Sequence, residues 1–337
     1  MRWDEGYTAE YYATIIDPVS WRDMERLDIK ADPVGIIKRE LEGIRASAQI
    51  YCDSFPRGIE NWIRVWLNVK QGGSNDHVAL FTGIGSTPEH NMDGVRETSA
   101  VQCYSVLKPA MDIDLLRGWY APAGVSGATV IRDLLAVIPA PVIIEDNAPV
   151  LSSAIIAENN ENHLTMVDKV LTAMNWRIRI LGDGTVTVGP WSEEPVATFD
   201  PDEFDVIESE ITIKADLFSA PNVFMAVDND RTAIAKDNSD KSALSIVNRG
   251  REVWAQEDGC SLAANQTLEQ YAAMQLEKAQ KVKQTANYGR RYVPEVYPGD
   301  VIRMRYPQQY LDGLYTVSSQ SIELTHAAVT SEEIMSL

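Results

Sequence analysis

Trp176-Arg177-Ile178-Arg179-Ile180-Leu181-Gly182-Asp183-Gly184-Thr185-Val186-Thr187-Val188 is the stretch on which the reading of this chain turns. Just before it, Val167, Val170, Leu171 and Met174 recur at helical spacing, behind Thr165 and Asp168 in the order of a capping box. Within it the period drops to two. Trp176, Ile178 and Ile180 alternate with arginines, Gly-Asp-Gly turns the chain, and Val186 and Val188 alternate with threonines. A hairpin with one apolar face needs a cover. The helix of residues 165–174 supplies one, and so does a second helix at 126–138. That second helix carries Val130, Leu134, Leu135 and Ile138 and is stopped by Pro139 and Pro141. Residues 120–191 are therefore expected to form a compact α+β unit, within a domain bounded at 119–195.

On the N-terminal side the pattern is strand-like. Trp62-Ile63-Arg64-Val65-Trp66-Leu67-Asn68-Val69 is rich in β-branched and aromatic residues, and Gln71-Gly72-Gly73-Ser74-Asn75-Asp76 is a turn cluster. Residues 77–83 return, and 98–104 read as a further strand. Antiparallel hairpins in a small barrel or sandwich are expected over 1–118, completed by about 196–227.

On the C-terminal side, residues 193–216 hold nine acids and one lysine. They read as an exposed connection leading into strands such as 207–213. Asn222-Val223-Phe224-Met225-Ala226-Val227 reads as a strand, and 228–241 as a polar loop or mobile arm. A helix is expected over 267–284, with Leu268, Ala272, Leu276 and Ala279 on one face and Thr267 and Gln270 as its cap. Strands follow, around the turns Tyr297-Pro298-Gly299-Asp300 and Asp312-Gly313. Tyr315 and Val317 are odd-numbered, whereas Ile322 and Leu324 are even-numbered. If they share a face, the strand breaks parity near 318–321, as at a β-bulge or bend. Residues 228–337 are thus expected as a second barrel-like domain with one long helix. The overall class is α+β and β-rich: two small β-barrel-like domains carrying an inserted α+β domain.

The bulk numbers exclude several functions. With 337 residues and 45% hydrophobic, the chain can bury a core. Its net charge of -19 argues against clamping nucleic acid or docking on anionic membranes, both of which need a basic surface. No apolar run is long enough to span a bilayer, and the acidic start is not a secretory signal. Cys52, Cys103 and Cys260 are odd in number and far apart, which predicts buried free thiols and not a disulfide framework.

The search for chemistry is nearly empty. His77, His90, His163 and His326 have no metal-pair spacing, and HExxH, GxSxG, Walker and GxGxxG motifs are missing. Gly83-Ile84-Gly85 and Gly182-Asp183-Gly184 read as turns. The pairs Asp112 with Asp114 and Glu193 with Glu194 have no fixed separation of the kind a glycosidase needs. Asp200-Pro201-Asp202-Glu203-Phe204-Asp205 lacks the glycine and ligand spacing of a calcium loop. No catalytic, cofactor or metal site is expected. One segregation of charge stands out. Residues 278–291 carry Lys278, Lys281, Lys283, Arg290 and Arg291 and no acid. They read either as a solvated helix end whose cations suit the C-terminal dipole, or as an inter-subunit contact to acids of a neighbouring copy.

The succession of these features resembles the phage tail hub family: baseplate hubs of contractile phages, the late control protein D group and the hub part of type VI secretion spikes. The resemblance rests on Asp17-Pro18-Val19-Ser20-Trp21, on Leu80-Phe81-Thr82-Gly83-Ile84, and on the helix, helix, hairpin unit through Val186. It continues in Pro221-Asn222-Val223-Phe224, the helix around Tyr271, Tyr297-Pro298-Gly299-Asp300-Val301-Ile302 and Gly313-Leu314-Tyr315-Thr316-Val317. It implies a non-enzymatic virion protein, assembled in the host cytoplasm and located at a tail tip or baseplate. It also implies a homotrimer whose six barrels match a hexameric tail tube. Its partners would be a tail tube or distal tail protein, a spike or tail-tip protein and a tape measure protein, with DNA passing through unbound. Because the sequence ends at residue 337, a lysin or needle would be a separate polypeptide. Two other readings stay open: a tail-associated peptidoglycan hydrolase, and a carbohydrate-binding receptor module licensed by eight tryptophans and thirteen tyrosines. Against the latter, Trp62, Trp66 and Trp176 sit at core spacing.

Overall fold

A computed structural model describes all residues except 57–59, 95, 209, 229–230 and 261–266. Strand makes up 46% and helix 15%, so the expected β-rich α+β class holds. The chain divides into two compact units. One is Met1–Ile211 with Asn287–Ile334, and the other is Thr212–Ala286 with Met335–Leu337.

The first unit opens with eight strands: β1 (Thr8–Ile16), β2 (Asp23–Asp28), β3 (Ile36–Glu40), β4 (Ala46–Cys52), β5 (Asn61–Gln71), β6 (Ser74–Gly85), β7 (Glu89–Asp93) and β8 (Arg96–Ser105). The alternation in β5 sets its face, for Ile63, Val65, Leu67 and Val69 are all fully buried. The hairpin to β6 is closed by Gly72 and Gly73, both at positive φ, between the paired residues Gln71 and Ser74. Two such residues make a type I′ turn, whose twist suits the strands.

The expected α+β unit comes next. It comprises α1 (Lys108–Asp112), β9 (Tyr120–Ala121), α2 (Gly127–Leu134), β10 (Val142–Ile144), β11 (Ile155–Ile156), α3 (His163–Met174), β12 (Trp176–Ile180) and β13 (Val186–Pro190). β12 and β13 form the hairpin, and β10 pairs with β13 in parallel. The hairpin's Trp176, Ile178, Ile180, Val186 and Val188 pack with Val130, Ile131, Leu134, Val167 and Val170 in one core. At roughly 1.5–3 kcal/mol per fully buried aliphatic side chain, this cluster holds the unit together. The start of α3 differs from expectation. Asn162, not Thr165, is the cap, and its side chain accepts from the Thr165 amide. The acidic connection also differs: Pro195–Phe199 forms a strand, β14.

The second unit holds β15 (Thr212–Ala215), β16 (Val223–Asp228), β17 (Arg231–Lys236), α4 (Ile246–Arg249), β18 (Trp254–Asp258) and α5 (Leu268–Ala279). Strand order is β17-β16-β18. Phe224, Ala226 and Ala233 meet Leu268, Tyr271, Ala272 and Leu276 of α5. The expected reciprocal cap at Thr267 and Gln270 is present. Two expectations are corrected. The polar stretch 228–241 contains the strand β17, and among the described residues of 207–213 strand begins at Thr212. In β17 the inward residue is the small Ala233 while Ile234 is exposed, so polarity does not alternate along the strand.

The first unit is completed by β19 (Gln284–Arg290) from Asn287 on, β20 (Val301–Tyr306), β21 (Leu311–Glu323) and β22 (Thr330–Ser336) up to Ile334. Its strand order is β19-β22-β21-β3-β4-β8-β6-β5-β1-β2, with β20 joining β14 to β21 and β7 pairing with β8. Among the described residues no closed barrel forms. The order ends on β2, whose Asp23, Glu25, Arg26 and Asp28 make a charged edge that resists further pairing. The parity break in β21 is present. Leu311, Tyr315 and Val317 are buried, then Gln320 and Ile322. The strand changes partners there, pairing with β20 through Thr316 and with β3 from Ser319.

Candidate assembly site

Three stretches far apart in sequence meet at the β12–β13 hairpin. Its outward arginines converge on one carboxylate. Arg177 Nη2 donates to Asp300 Oδ1 at 2.9 Å, and Arg179 Nη2 donates to the same oxygen. Asp300 is fully buried, and its other oxygen accepts from the Tyr297 amide at 2.9 Å. The PGD turn thus presents a single carboxylate to two guanidiniums, which also stack on aromatic rings: Arg177 on Trp191 at 5.5 Å and Arg179 on Tyr297 at 5.4 Å. Burial pulls the Arg179 guanidinium below the usual arginine value despite Asp300.

The hairpin turn docks on the long sheet. Thr82 Oγ1 donates to the Gly182 carbonyl at 2.8 Å, while Arg64 Nη2 and Trp21 Nε1 donate to the Asp183 carbonyl at 3.0 and 3.1 Å. Arg64 is held in turn by Asp23 at 3.1 Å. A Cβ on Gly182 would lie 1.8 Å from the Ala79 carbonyl oxygen, so only glycine permits this approach. The Asp17–Trp21 stretch, the hairpin and the PGD turn are therefore parts of one junction within the first unit.

A second polar cluster lies where β19, β22 and β21 pass one another. Arg290 and Glu332 are both fully buried and paired twice, Nε to Oε2 at 3.0 Å and Nη2 to Oε1 at 2.7 Å. Glu332 also accepts from Tyr288 Oη at 2.5 Å and Gln320 Nε2 at 2.7 Å. Burial alone would raise the Glu332 pKa, but Arg290, Tyr288 and Gln320 together hold it below the usual glutamate value. Burial and the neighbouring Glu332 push the Tyr288 hydroxyl well above the usual tyrosine value.

The five basic residues singled out in the sequence are not one patch. Lys278, Lys281 and Lys283 belong to the second unit, whereas Arg290 and Arg291 belong to the first. Arg290 is enclosed with Glu332 inside its own chain. Arg291 donates to Glu208 at 2.6 Å and to the Asp4 carbonyl at 2.7 Å. The three lysines are exposed. Lys281 lies 3.7 Å from Glu277, and Lys278 and Lys283 form no ion pair among the described residues.

Elsewhere the chemistry is sparse. All three cysteines are buried and free, and burial raises the Cys52 thiol to about 11. His90 contacts Glu97 at 2.6 Å and His163 Nδ1 bonds the Leu134 carbonyl at 2.8 Å, each within local structure. Among the described residues no three His, Cys, Asp or Glu are grouped to hold a metal ion, and no helix is long and apolar enough to cross a membrane.

No family model matches the chain, and no curated protein matches it. Solved structures do. The 43 kDa tail protein of prophage MuSo2 from Shewanella oneidensis superposes with a TM-score of 0.67 at 10% identity, over 98% of each chain. The tail protein from Neisseria meningitidis MC58 gives 0.63 at 16% identity, over 98% of this chain and 97% of that one. A chain of the Francisella PdpA–VgrG complex gives 0.57 at 9% identity, over 98% of this chain and 58% of the other. The chain therefore has, along nearly its whole length, the fold of phage and prophage tail proteins.

Proposed function

We propose that this chain is a structural hub of a phage tail tip or baseplate, forming a trimeric ring that adapts a hexameric tail tube to a central spike or tip. The observation that carries the reading is the end-to-end fold match to a prophage tail protein, over 98% of both chains. On this reading the α+β segment at 119–195 is an insertion between the strands of the first unit. Its partners are further copies, a tail tube or distal tail protein, a spike or tip protein, and a tape measure protein. It works in the virion after assembly in the host cytoplasm, and it performs no catalysis. A spike partner is in keeping with the likeness to a chain of a complex that contains VgrG.

The charge has a role in this proposal. Duplex DNA carries one negative charge per roughly 1.7 Å of its axis, so a basic channel would hold it through many phosphates. With a net charge of -19, the ring can present a lumen richer in Asp and Glu than in Lys and Arg. A reconstruction of the assembled particle tests both parts. Three copies per ring around an acidic wall are expected. Two, five or six copies would overturn the ring, and a neutral or basic wall would overturn the charge argument alone. Wall clearing in a gel, or binding on a glycan array, by the pure chain would favour the hydrolase or the receptor reading instead.

A further inference from the structure

We infer that Lys278, Lys281 and Lys283 of one copy seat in a groove on the first unit of a second copy. The inference rests on the ring reading above and names the contact that would join its members.

The groove measures about 910 Å³ and lies between the acidic residues that follow β14 and the segment joining β20 to β21. Its walls carry the carboxylates of Asp200, Asp202, Asp205, Glu210 and Asp312. Arg305 is its one basic lining residue, and it already meets Asp200 at 3.4 Å and Glu203 at 3.9 Å. Asp205 accepts from Tyr306 Oη at 3.1 Å. Asp202 and Asp312 form no ion pair with another lining residue among those described. Ile207, Ile211 and Pro307 add apolar surface between the acids. A groove of this kind suits lysines, whose methylene stems lie along apolar surface while the ammonium groups reach carboxylates.

The lysine strip is the matching half. Lys278 lies in the last turn of α5, and Lys281 follows just past the helix end, its amide donating to the Lys278 carbonyl at 3.2 Å. Lys283 is just beyond. Lys278 and Lys283 have no ion-pair partner among the described residues, and the Lys281–Glu277 pair is 75% and 77% exposed. Such a pair is worth about 0–1 kcal/mol and exchanges readily for a better-shielded one. Arg290 and Arg291 are excluded from the strip by their own-chain carboxylates Glu332 and Glu208. A closed ring uses heterologous contacts, in which two different patches meet. A lysine strip on one unit and an acidic, partly apolar groove on the other provide two such patches.

The test is zero-length carbodiimide cross-linking of the full chain, which joins lysine amines only to carboxylates in contact. An equal mixture of unlabelled and nitrogen-15 protein at low salt separates links between copies from links within one. Mixed-isotope links from Lys278, Lys281 or Lys283 to Asp202, Asp205 or Asp312 are expected. Lys278→Glu with Lys281→Glu and Lys283→Glu should lose them and weaken self-association by about tenfold or more. Adding Asp202→Lys and Asp312→Lys to that variant should restore association. All five positions are exposed, so circular dichroism should show the fold unchanged. Links confined to one isotope, links elsewhere only, or a chain that stays monomeric at every concentration would overturn the contact. If particles show three copies per ring without the strip–groove link, the ring reading survives and this inference alone fails.

Discussion

Arg290 and Lys281 lie nine positions apart in one run of basic residues, yet they behave as opposites. Arg290 is enclosed, forked onto Glu332, with Tyr288 and Gln320 on the same carboxylate. Lys281 stands in solvent, 3.7 Å from an equally exposed glutamate. The difference teaches that a charge's worth here depends on what the fold removes from around it. A buried charge is costly unless paired, so breaking its pair is severe. An exposed charge has water as an alternative partner.

The largest effect should come from Glu332→Ala, which leaves the Arg290 guanidinium buried and alone. A loss of about 3–5 kcal/mol is expected, read from urea unfolding. A loss below 1 kcal/mol would break the comparison. The same carboxylate sets an acid limit. Because its folded pKa is depressed, its stabilisation is present above the unfolded value of about 4.3. It is lost as pH falls through the lower folded value. In a thermal-melt series, Glu332→Gln should therefore flatten the acid limb.

Next in size is Asp300→Ala, which strands Arg177 and Arg179. Their side chains keep 15% and 24% exposure, so water relieves part of the cost, and about 2–3 kcal/mol is expected. Gly182→Ala should cost about 1–3 kcal/mol, since its methyl would meet a backbone carbonyl that cannot swing away. A melt matching wild type would show that the junction is looser than described. Thr267→Ala removes one half of the α5 cap and should cost about 1 kcal/mol, visible as faster amide exchange in the first turn of α5. Smallest is Lys281→Ala, within about 0.5 kcal/mol in the isolated chain. A larger loss would mean that the strip supports the fold and not an interface.

Much of this was legible from spacing. The β12–β13 hairpin, the Thr267 cap and the parity break in β21 follow from local rules that burial then enforced. What was not legible depended on partners distant in sequence. Thr165 looked like a cap, but Asn162 lay three residues upstream with the same chemistry and took the place. β17 and β14 showed no apolar alternation of their own, because pairing with β16 and β20 defines them. The segregation of five cations suggested one patch, and the signal against it was present. Ala286, Tyr288 and Arg290 alternate inward, as do Thr330, Glu332 and Ile334, so each strand sets one opposite charge among buried positions. Pairing those two strands was the missing step, and it lies 42 residues away. The groove was also hidden, since 200–205 read as a solvated loop until Arg305, Tyr306 and Asp312 came alongside.

The change of partners in β21 carries a consequence for how this chain can vary. Val317 and Gln320 are both buried, with Ser318 and Ser319 between them where a regular strand would place one residue. The residue count at that point, more than the identity of the residues, keeps both halves of the strand facing inward. Replacing either serine by another small polar residue leaves the arithmetic intact. Deleting one restores simple alternation through the whole strand and removes the irregularity at which pairing passes from β20 to β3. The segment should therefore tolerate changes of letter far better than changes of length, in contrast to a surface loop, which accepts both.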